Sequence, residues 1–183
     1  MLLKLEAMLE SLISSRTRIK LLMKFFLNSS TTSYLRDLEA EFGDSTNAIR
    51  PELNRLEQVG LLQSHREGNK KIFKANKSHP LYNDIHNILL KHTGIDQVVE
   101  KVICKLGGLT AAYLIGQFAC GKDSPVVDLL LIGTNIDMDY LYEIIAKTER
   151  YIERRIRYII VTPAEAPGLL KSYPEGLLIW RKL

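Results

Sequence analysis

Residues 44–76, DSTNAIRPELNRLEQVGLLQSHREGNKKIFKAN, change from a helical to a strand-like hydrophobic period within one short stretch. Ser45 is a favourable helix N-cap, because its hydroxyl can accept a hydrogen bond from a free backbone N–H of the first turn. Gly60 is a typical helix stop. The apolar residues between them recur at helical spacing: Ile49, Leu53, Leu56 and Val59. The first part of the stretch therefore predicts an amphipathic helix.

The second part of the stretch predicts a basic β-hairpin. Residues 61–65 and 71–74 have the composition of two short strands, and REGNK (66–70) supplies the turn between them. A basic hairpin that follows a helix is the pattern of a wing. The change of period near Gly60 thus indicates a recognition helix followed by a wing.

Two further helices are predicted upstream. Residues 15–28 carry an apolar stripe at helical spacing, and a second short helix follows Ser33 and ends near Gly43. Their inward residues are Ile19, Leu22, Met23 and Phe26 in the first helix, and Tyr34, Leu35, Leu38 and Phe42 in the second. A helix, a glycine-containing turn and a second, reading helix form the helix-turn-helix pattern. With the hairpin, the sequence predicts a winged helix-turn-helix domain.

The excess positive charge lies in the same half of the chain. The 183 residues contain 25 Lys+Arg and 21 Asp+Glu, a net charge of +4. Residues 1–92 carry all of this excess, with 14 basic and 10 acidic groups. Residues 45–77 have seven basic groups against three acidic ones. This local basic surface indicates a polyanionic partner, double-stranded DNA, for the first half only; an ordinary solvated surface is the alternative.

The sequence predicts two groups of DNA-contacting residues. The polar face of the reading helix would meet base edges in the major groove, where Asn pairs with adenine and Arg with guanine. The wing tip would contact phosphates or the minor groove. The reading-helix group is Ser45, Thr46, Asn47, Arg50, Asn54 and Arg55, and the wing group is Arg66, Asn69, Lys70 and Lys71. A winged helix that binds another protein, and never DNA, is the alternative.

Pro51 conflicts with the predicted reading helix. A proline beyond the first helical turn removes a backbone N–H and crowds the previous turn. We therefore expect a kink or a local break near Pro51, although the periodicity after it is strong.

Residues 79–94 predict a connecting helix that ends near Gly94. Its apolar face is Leu81, Ile85, Ile88 and Leu89. His79, His86 and His92 lie in this segment, but no cysteine or carboxylate cluster joins them. A transition-metal site needs a tighter ligand set. We therefore expect surface or interface histidines and no metal.

The N-terminal segment predicts an amphipathic helix with a spare apolar face. Its apolar residues are Leu2, Leu3, Leu5, Leu9, Leu12 and Ile13. Glu6 and Glu10 interrupt them, and no small-residue cleavage site follows, so the segment is not typical of a signal peptide. A flanking helix with a spare apolar face favours a homodimer, which suits palindromic DNA half-sites. Cys104 and Cys120 have no disulfide-framework spacing, which favours the cytoplasm.

The second half predicts a small α/β layer. Helical periodicity marks residues 94–109 and 136–156, and strand-like runs occur at 109–119, 126–133 and 157–163, with a fourth possible at 175–180. Asp137 and Asp139 open the second of these helices, where helix capping is the better interpretation than metal binding.

The whole pattern resembles a known combination of domains. SRTRIKLLMKFFLN, ELNRLEQVGLL, the basic wing and ANKSHPLY resemble bacterial winged helix-turn-helix regulators of the arsenic-repressor-like kind. LTAAYLIGQFACGKDSPVVDLLLIG (109–133) is similar to the core of a minimal nucleotidyltransferase of the DNA polymerase beta superfamily. The second resemblance implies a glycine turn, two strand aspartates and a later carboxylate that together hold divalent metal for phosphate transfer.

The chain departs from that catalytic pattern. The turn keeps Gly116 and Gly121, but Gln117 stands at the serine position and Cys120 at the arginine position. Asp128 matches the second aspartate, and Val126 replaces the first. One carboxylate would hold Mg²⁺ weakly, so no catalysis is expected. Backbone N–H groups of the turn could still hold a nucleotide-like anion without metal; the predicted pocket is Gly116, Gln117, Gly121, Lys122 and Asp128.

The sequence therefore predicts an α+β protein of three segments. Residues 1–78 form a winged-helix DNA-binding domain, 79–94 a connecting helix, and 95–183 a degenerate nucleotidyltransferase-like domain that senses a ligand or dimerises. The predicted function is a cytoplasmic, homodimeric, DNA-binding transcriptional regulator. The alternatives are a nucleotidyltransferase or antitoxin-like enzyme with a winged helix as targeting module, and a protein-interaction scaffold.

Overall fold

The computed structural model describes residue 9 and residues 12–182 of the chain. The protein is α+β, with helices and two sheets. It divides into two compact units, the first ending at Leu89 and the second beginning at Leu90. Leu2, Leu3 and Leu5, on which the predicted dimer helix depends, lie outside the described residues. In the part of the chain that is described, no helix is long and apolar enough to cross a membrane.

The first unit is built around a helix whose C-terminal end is buried. Helix α1 (Arg16–Leu22) begins at Ser15, whose hydroxyl accepts a hydrogen bond from the Arg18 N–H, and continues as a π-helical segment, Met23–Leu27. Every side chain of that segment is buried, because two phenylalanines and their neighbours fill the centre of the unit. Lys24 is buried with them, and its Nζ lies 2.8 Å from the carboxylate of Glu41. The predicted first helix is confirmed.

Helices α2 (Leu35–Phe42) and α3 (Thr46–Gln58) follow, joined by a short turn that contains Gly43. Ser45 caps α3 as predicted, since its Oγ accepts from the Ala48 N–H at 3.3 Å. The buried face of α3 is Ile49, Leu53 and Leu56. Val59, predicted on this face, is 55% exposed, because α3 ends one residue before it.

The break expected at Pro51 is absent: α3 is one uninterrupted helix. Pro51 is the sixth residue of the helix, and its missing N–H leaves only the Asn47 carbonyl without the usual partner. Asn47 is exposed, so water can satisfy that carbonyl. Burial of the apolar face on both sides of Pro51 outweighs the cost of a proline in a helix interior, about 3 kcal/mol for the lost hydrogen bond and the crowding by the ring together.

A three-stranded antiparallel sheet completes the first unit. Strands β2 (Leu62–Glu67) and β3 (Lys70–Ala75) pair as a hairpin, and β1 (Thr32–Tyr34) pairs with the other edge of β3. The strands extend further toward the tip than the sequence predicts, so Glu67 pairs with Lys70 and the turn has two residues. Gly68 occupies its first position with φ +57°, a backbone conformation that favours glycine.

Helix α4 (Tyr82–Thr93) follows the hairpin. His86 Nδ1 donates to the Phe26 carbonyl at 2.7 Å, and the Tyr82 ring lies 5.6 Å from that of Phe26. Leu89 is buried as predicted, whereas Leu81 is 53% and Ile88 46% exposed. The apolar face predicted for this helix is thus only partly covered by the described residues.

The second unit contains a four-stranded sheet, whose strands from edge to edge are Arg155–Val161, Val126–Gly133, Leu109–Ile115 and Leu177–Arg181. Helix α5 (Ile95–Lys101) and a 3₁₀ turn (Ile103–Lys105) precede it. The other elements are β4 (Leu109–Ile115), α6 (Gly116–Ala119), β5 (Val126–Gly133), α7 (Met138–Ile152), β6 (Arg155–Val161), α8 (Ala166–Leu170) and β7 (Leu177–Arg181). Strand β5 is antiparallel to β4 and parallel to β6, and α7 provides the crossover between the parallel pair. Asp137 caps α7 as predicted, accepting from the Tyr140 N–H at 3.0 Å.

One face of this sheet is only partly covered. Ala111, Leu130 and Ile132 pack on that face with Ala166 of α8, and Tyr173 extends the cluster toward the start of β5. Beyond Tyr173 the face opens into a groove. The position of α8 therefore decides which residues of β4, β5 and β6 remain accessible.

Candidate nucleic-acid interface

A groove runs between α3 and the hairpin of the first unit; we call it the wing groove. It has a volume of about 580 Å³. Its floor is apolar, with Leu53 and Phe73, while polar and basic side chains form its walls. The lining residues are Tyr34, Leu35, Arg36, Arg50, Leu53, Asn54, Asn69, Lys70, Lys71 and Phe73. Three elements thus contribute: the β1–α2 junction, the exposed side of α3 and the start of β3.

The wing groove is lined by positive charge. Arg36, Arg50, Lys70 and Lys71 line it, and no acidic side chain does so among the described residues. Arg36 and Arg50 are exposed, and within residues 9 and 12–182 neither makes an ion pair or a side-chain hydrogen bond. Their guanidinium groups keep all five N–H donors for an outside partner, in the fork geometry that suits phosphate or a guanine edge.

Lys70 rests on an aromatic ring. Its Nζ lies 4.0 Å from the ring centroid of Tyr34, where a cation is attracted by the negative face of the ring. A hydrogen bond to Tyr34 raises the pKa of Lys70. Lys70 therefore stays charged, and the ring places its ammonium at the wall of the groove without neutralising it.

Lys71 is paired with an acid of α3. Its Nζ donates to Glu57 Oε2 at 2.6 Å, and Ser64 Oγ donates to Glu57 Oε1 at 2.5 Å. These two hydrogen bonds, that of Lys71 first, lower the pKa of Glu57. The charge of Lys71 is therefore balanced within the protein, and the contact ties the hairpin to α3. Two adjacent lysines thus have different surroundings.

Five of the ten predicted DNA-contacting residues line the wing groove: Arg50, Asn54, Asn69, Lys70 and Lys71. The other five lie outside it. Ser45 and Asn47 are exposed at the start of α3, and Thr46 is half-buried beside them. Arg66 is exposed on β2. Arg55 lies 3.7 Å from Glu52, which also accepts from Arg18 at 2.8 Å.

Sequence reasoning missed Tyr34 and Arg36. Tyr34 was expected to face inward on the second helix, but it belongs to β1 and is half-buried against Lys70. Arg36 is exposed in the first turn of α2. The only sequence signal for these two residues is the aromatic and the basic side chain in TSYLR (32–36). That signal can be interpreted only when the end of a strand at Tyr34 is known.

A second groove lies on the open sheet face of the second unit; we call it the sheet groove. Its volume is about 410 Å³. The lining residues are Ile115, Gly116, Asp128, Leu129, Arg157, Tyr158, Ile159 and Tyr173. Asp128 and Arg157 are register partners on β5 and β6, and Arg157 Nε donates to Asp128 Oδ1 at 2.6 Å.

Gly116 is required for this arrangement. Its φ is +67°, and a Cβ at this position would lie 2.6 Å from Asp128 Oδ2. Of the predicted pocket, Gly116 and Asp128 line the sheet groove, while Gln117, Gly121 and Lys122 do not. The N–H groups of Cys120, Gly121 and Lys122 donate to carbonyls within the turn. These three groups are therefore not directed at an outside anion.

The donor set does not fit the divalent metal that the nucleotidyltransferase resemblance implies. Val126 has no oxygen ligand, and the carboxylate of Asp128 already accepts a hydrogen bond from Arg157. Hard divalent cations need several oxygen ligands. No cluster of three or more His, Cys, Asp or Glu side chains that could hold a metal occurs among the described residues.

No protein-family model matches the chain, and no curated protein matches it. Among solved structures, AF1382 from Archaeoglobus fulgidus is similar over 50% of this chain and 96% of its own, with 14% identity and a TM-score of 0.37. A proposed nucleotidyltransferase from Sulfolobus solfataricus covers 48% of this chain and 78% of its own, with 18% identity and a TM-score of 0.34. The AntR antimony-specific transcriptional repressor is similar over 48% of this chain and 72% of its own, with 22% identity and a TM-score of 0.34.

Proposed function

We propose that the chain is a DNA-binding transcriptional regulator whose first unit is a winged helix-turn-helix domain. The observation that carries the proposal is the wing groove, in which Arg36 and Arg50 are unpaired and no acid lines the walls among the described residues. DNA presents phosphates beside base edges, so one such groove can neutralise the backbone while α3 lies in the major groove.

In this proposal the predicted contact residues have unequal roles. Arg50 and Asn54 contact base edges, since both lie on the exposed side of α3 and have side chains that pair bidentately with guanine and adenine. Arg36 and Lys70 bind phosphate from the walls, and Asn69 and Arg66 contact the backbone from the wing. Ser45, Thr46 and Asn47 approach the duplex with the first turn of α3, whose N–H groups favour phosphate. Lys71 positions the wing through Glu57.

The experiment is a titration of labelled random-sequence duplex DNA with the full chain, followed by fluorescence anisotropy at several salt concentrations. We expect the logarithm of the association constant to fall linearly with the logarithm of salt, because each neutralised phosphate releases about 0.9 counterion from B-DNA. An absence of binding at low salt would remove the proposal. Selection from genomic fragments would then identify the preferred sequence.

We also propose that the regulator acts as a homodimer in the cytoplasm. Leu81, just before α4, and Ile88 of α4 are about half exposed, and such apolar groups favour burial against a second copy. The free thiols of Cys104 and Cys120 suit a reducing compartment. Sedimentation velocity of the chain and of Leu81→Ser/Ile88→Ser tests the dimer, and a wild-type protein that sediments as a monomer would contradict it.

The alternative is a nucleotidyltransferase or antitoxin-like enzyme that uses the winged helix for targeting. The ion pair between Asp128 and Arg157 disfavours it, because the one strand carboxylate is held by a side chain. Incubation with labelled nucleotides, Mg²⁺ or Mn²⁺ and cell extract decides the matter. Label transferred to any macromolecule, and lost in Asp128→Asn, would establish the enzyme.

A further inference from the structure

Arg157, in the sheet groove, has one N–H donor bound within the protein and others available to a ligand. Arg157 uses its Nε–H to bind Asp128 Oδ1, and its side chain is still 71% exposed. Asp128 is the only partner it has within residues 9 and 12–182. A guanidinium has a second edge, formed by its two terminal nitrogens, that can make a bidentate contact with a carboxylate or a phosphate. Asp128 thus holds the Nε side of the group and leaves that second edge free.

The walls of the groove are suited to a carbon skeleton. Ile115 and Ile159 project from β4 and β6 on the same face as Arg157, and Tyr173 closes the end that borders the α8 cluster. Ile159 is 37% exposed, an unusual position for an apolar side chain beside an ion pair. At about 410 Å³ the groove has the volume of a small-molecule site. In such sites the apolar walls provide most of the contact area, and a few polar groups fix the orientation of the ligand.

The charges also determine which ligand can enter. One carboxylate and one guanidinium cancel, so the groove neither requires nor attracts a divalent cation. We propose that the sheet groove binds a small organic phosphate or carboxylate with an apolar or aromatic body, with Arg157 as its anchor and without a metal. Asp128 is a positioning residue for that anchor. The inference concerns the second unit alone and does not depend on DNA binding.

Phenyl phosphate is a suitable probe, because it joins a dianion to a flat apolar body. We expect isothermal titration calorimetry of the full chain in excess EDTA to show binding in the millimolar range, unchanged when Mg²⁺ replaces EDTA. Inorganic phosphate and benzyl alcohol, which carry only one of the two features, should each bind at least about tenfold more weakly. Benzoate in place of phenyl phosphate distinguishes a carboxylate from a phosphate ligand.

Two variants test the anchor. Arg157→Gln should abolish the heat, whereas Arg150→Gln, which removes an exposed charge from α7, should leave it unchanged. Asp128→Asn keeps a side-chain oxygen that can accept from Arg157 Nε, so the anchor stays in position, but it removes the negative charge that opposes the ligand and should tighten binding several-fold. Thermal melting of each variant shows whether it is folded. Absence of heat with phenyl phosphate and benzoate, equal binding by Arg157→Gln, a requirement for Mg²⁺, or weaker binding by folded Asp128→Asn would each overturn the proposal.

Discussion

The wing groove and the sheet groove differ in whether their arginines are paired with an acid. In the wing groove, Arg36 and Arg50 have no partner among the described residues, and Lys70 rests on a neutral ring. In the sheet groove, the one arginine is bound to the one carboxylate. Unpaired charge draws a polyanion from a distance, whereas a paired charge acts only at contact. We therefore expect the class of partner to follow from the charge that remains unpaired in each groove.

The strongest test of the comparison removes the unpaired charges. The double variant Arg36→Ala/Arg50→Ala should weaken binding to random-sequence duplex by roughly a hundredfold at low salt. It should reduce the salt slope by about one, since Arg36 is the phosphate contact of the pair and each phosphate contact contributes about 0.9. Anisotropy titrations at three or more salt concentrations give both quantities. Arg150→Ala, an exposed arginine of α7, is the matched control. An unchanged slope in the double variant would show that the wing groove does not hold phosphate.

The second test removes the charge of Arg154, which we expect to stabilise the second unit. Arg154 is buried; it lies 2.8 Å from Asp123, donates to the Ser124 carbonyl and lies over the Phe118 ring. Arg154→Gln should lower the free energy of unfolding by about 2 kcal/mol, because a buried carbonyl loses its donor and Asp123, half exposed, can be rehydrated. Urea denaturation measures the loss. Salt-dependent DNA affinity should not change in the folded variant; a changed slope would mean that this unit also contacts the duplex.

The sequence predicts the elements of both units better than it predicts their sites. Periodicity places α3 and the hairpin because their apolar residues are regularly spaced. The break expected at Pro51 does not occur, because burial of the helix face outweighs the cost of a proline in the helix. It misses β1, whose three residues are too few to show a period. With β1 it misses the position of Tyr34 and one wall of the wing groove.

Pairing across strands is equally hard to foresee. Arg157 and Asp128 are 29 positions apart and meet only because β5 and β6 are parallel in one particular register. Lys71 and Glu57 meet because the hairpin folds back along α3. Sequence reasoning can count such charges, but their distances depend on register and packing. Counting basic residues therefore places Lys71 and Lys70 in the same predicted DNA-contacting group, although their surroundings differ.

The third test separates these two lysines. Lys70→Ala should reduce the salt slope of DNA binding by about one and the low-salt affinity by roughly tenfold. Lys71→Ala should change the slope less, because Glu57 already balances its charge, and should instead lower stability by about 0.5 kcal/mol, the value of a partly exposed ion pair. Anisotropy and urea denaturation on both variants make the comparison. Equal slopes for the two would contradict the division of roles.

The smallest effect is expected from Glu57 itself. Glu57→Gln keeps the shape of the side chain and the hydrogen bond from Ser64 but releases the charge of Lys71. DNA affinity should therefore rise about twofold at low salt, and the slope should steepen by a fraction of one. The lowered pKa of Glu57 adds a pH dependence. Its contribution to stability is complete above the unfolded-state pKa of a glutamate, about 4.3, and is lost as the pH falls through the lower pKa of the folded state. Acid unfolding of the wild type should therefore contain a component, at pH below about 4, that Glu57→Gln lacks. Two results together would contradict this expectation: the wild type and Glu57→Gln lose stability in parallel below that pH, and the salt slope of the variant is unchanged. They would mean that the contact between α3 and the wing does not persist in solution.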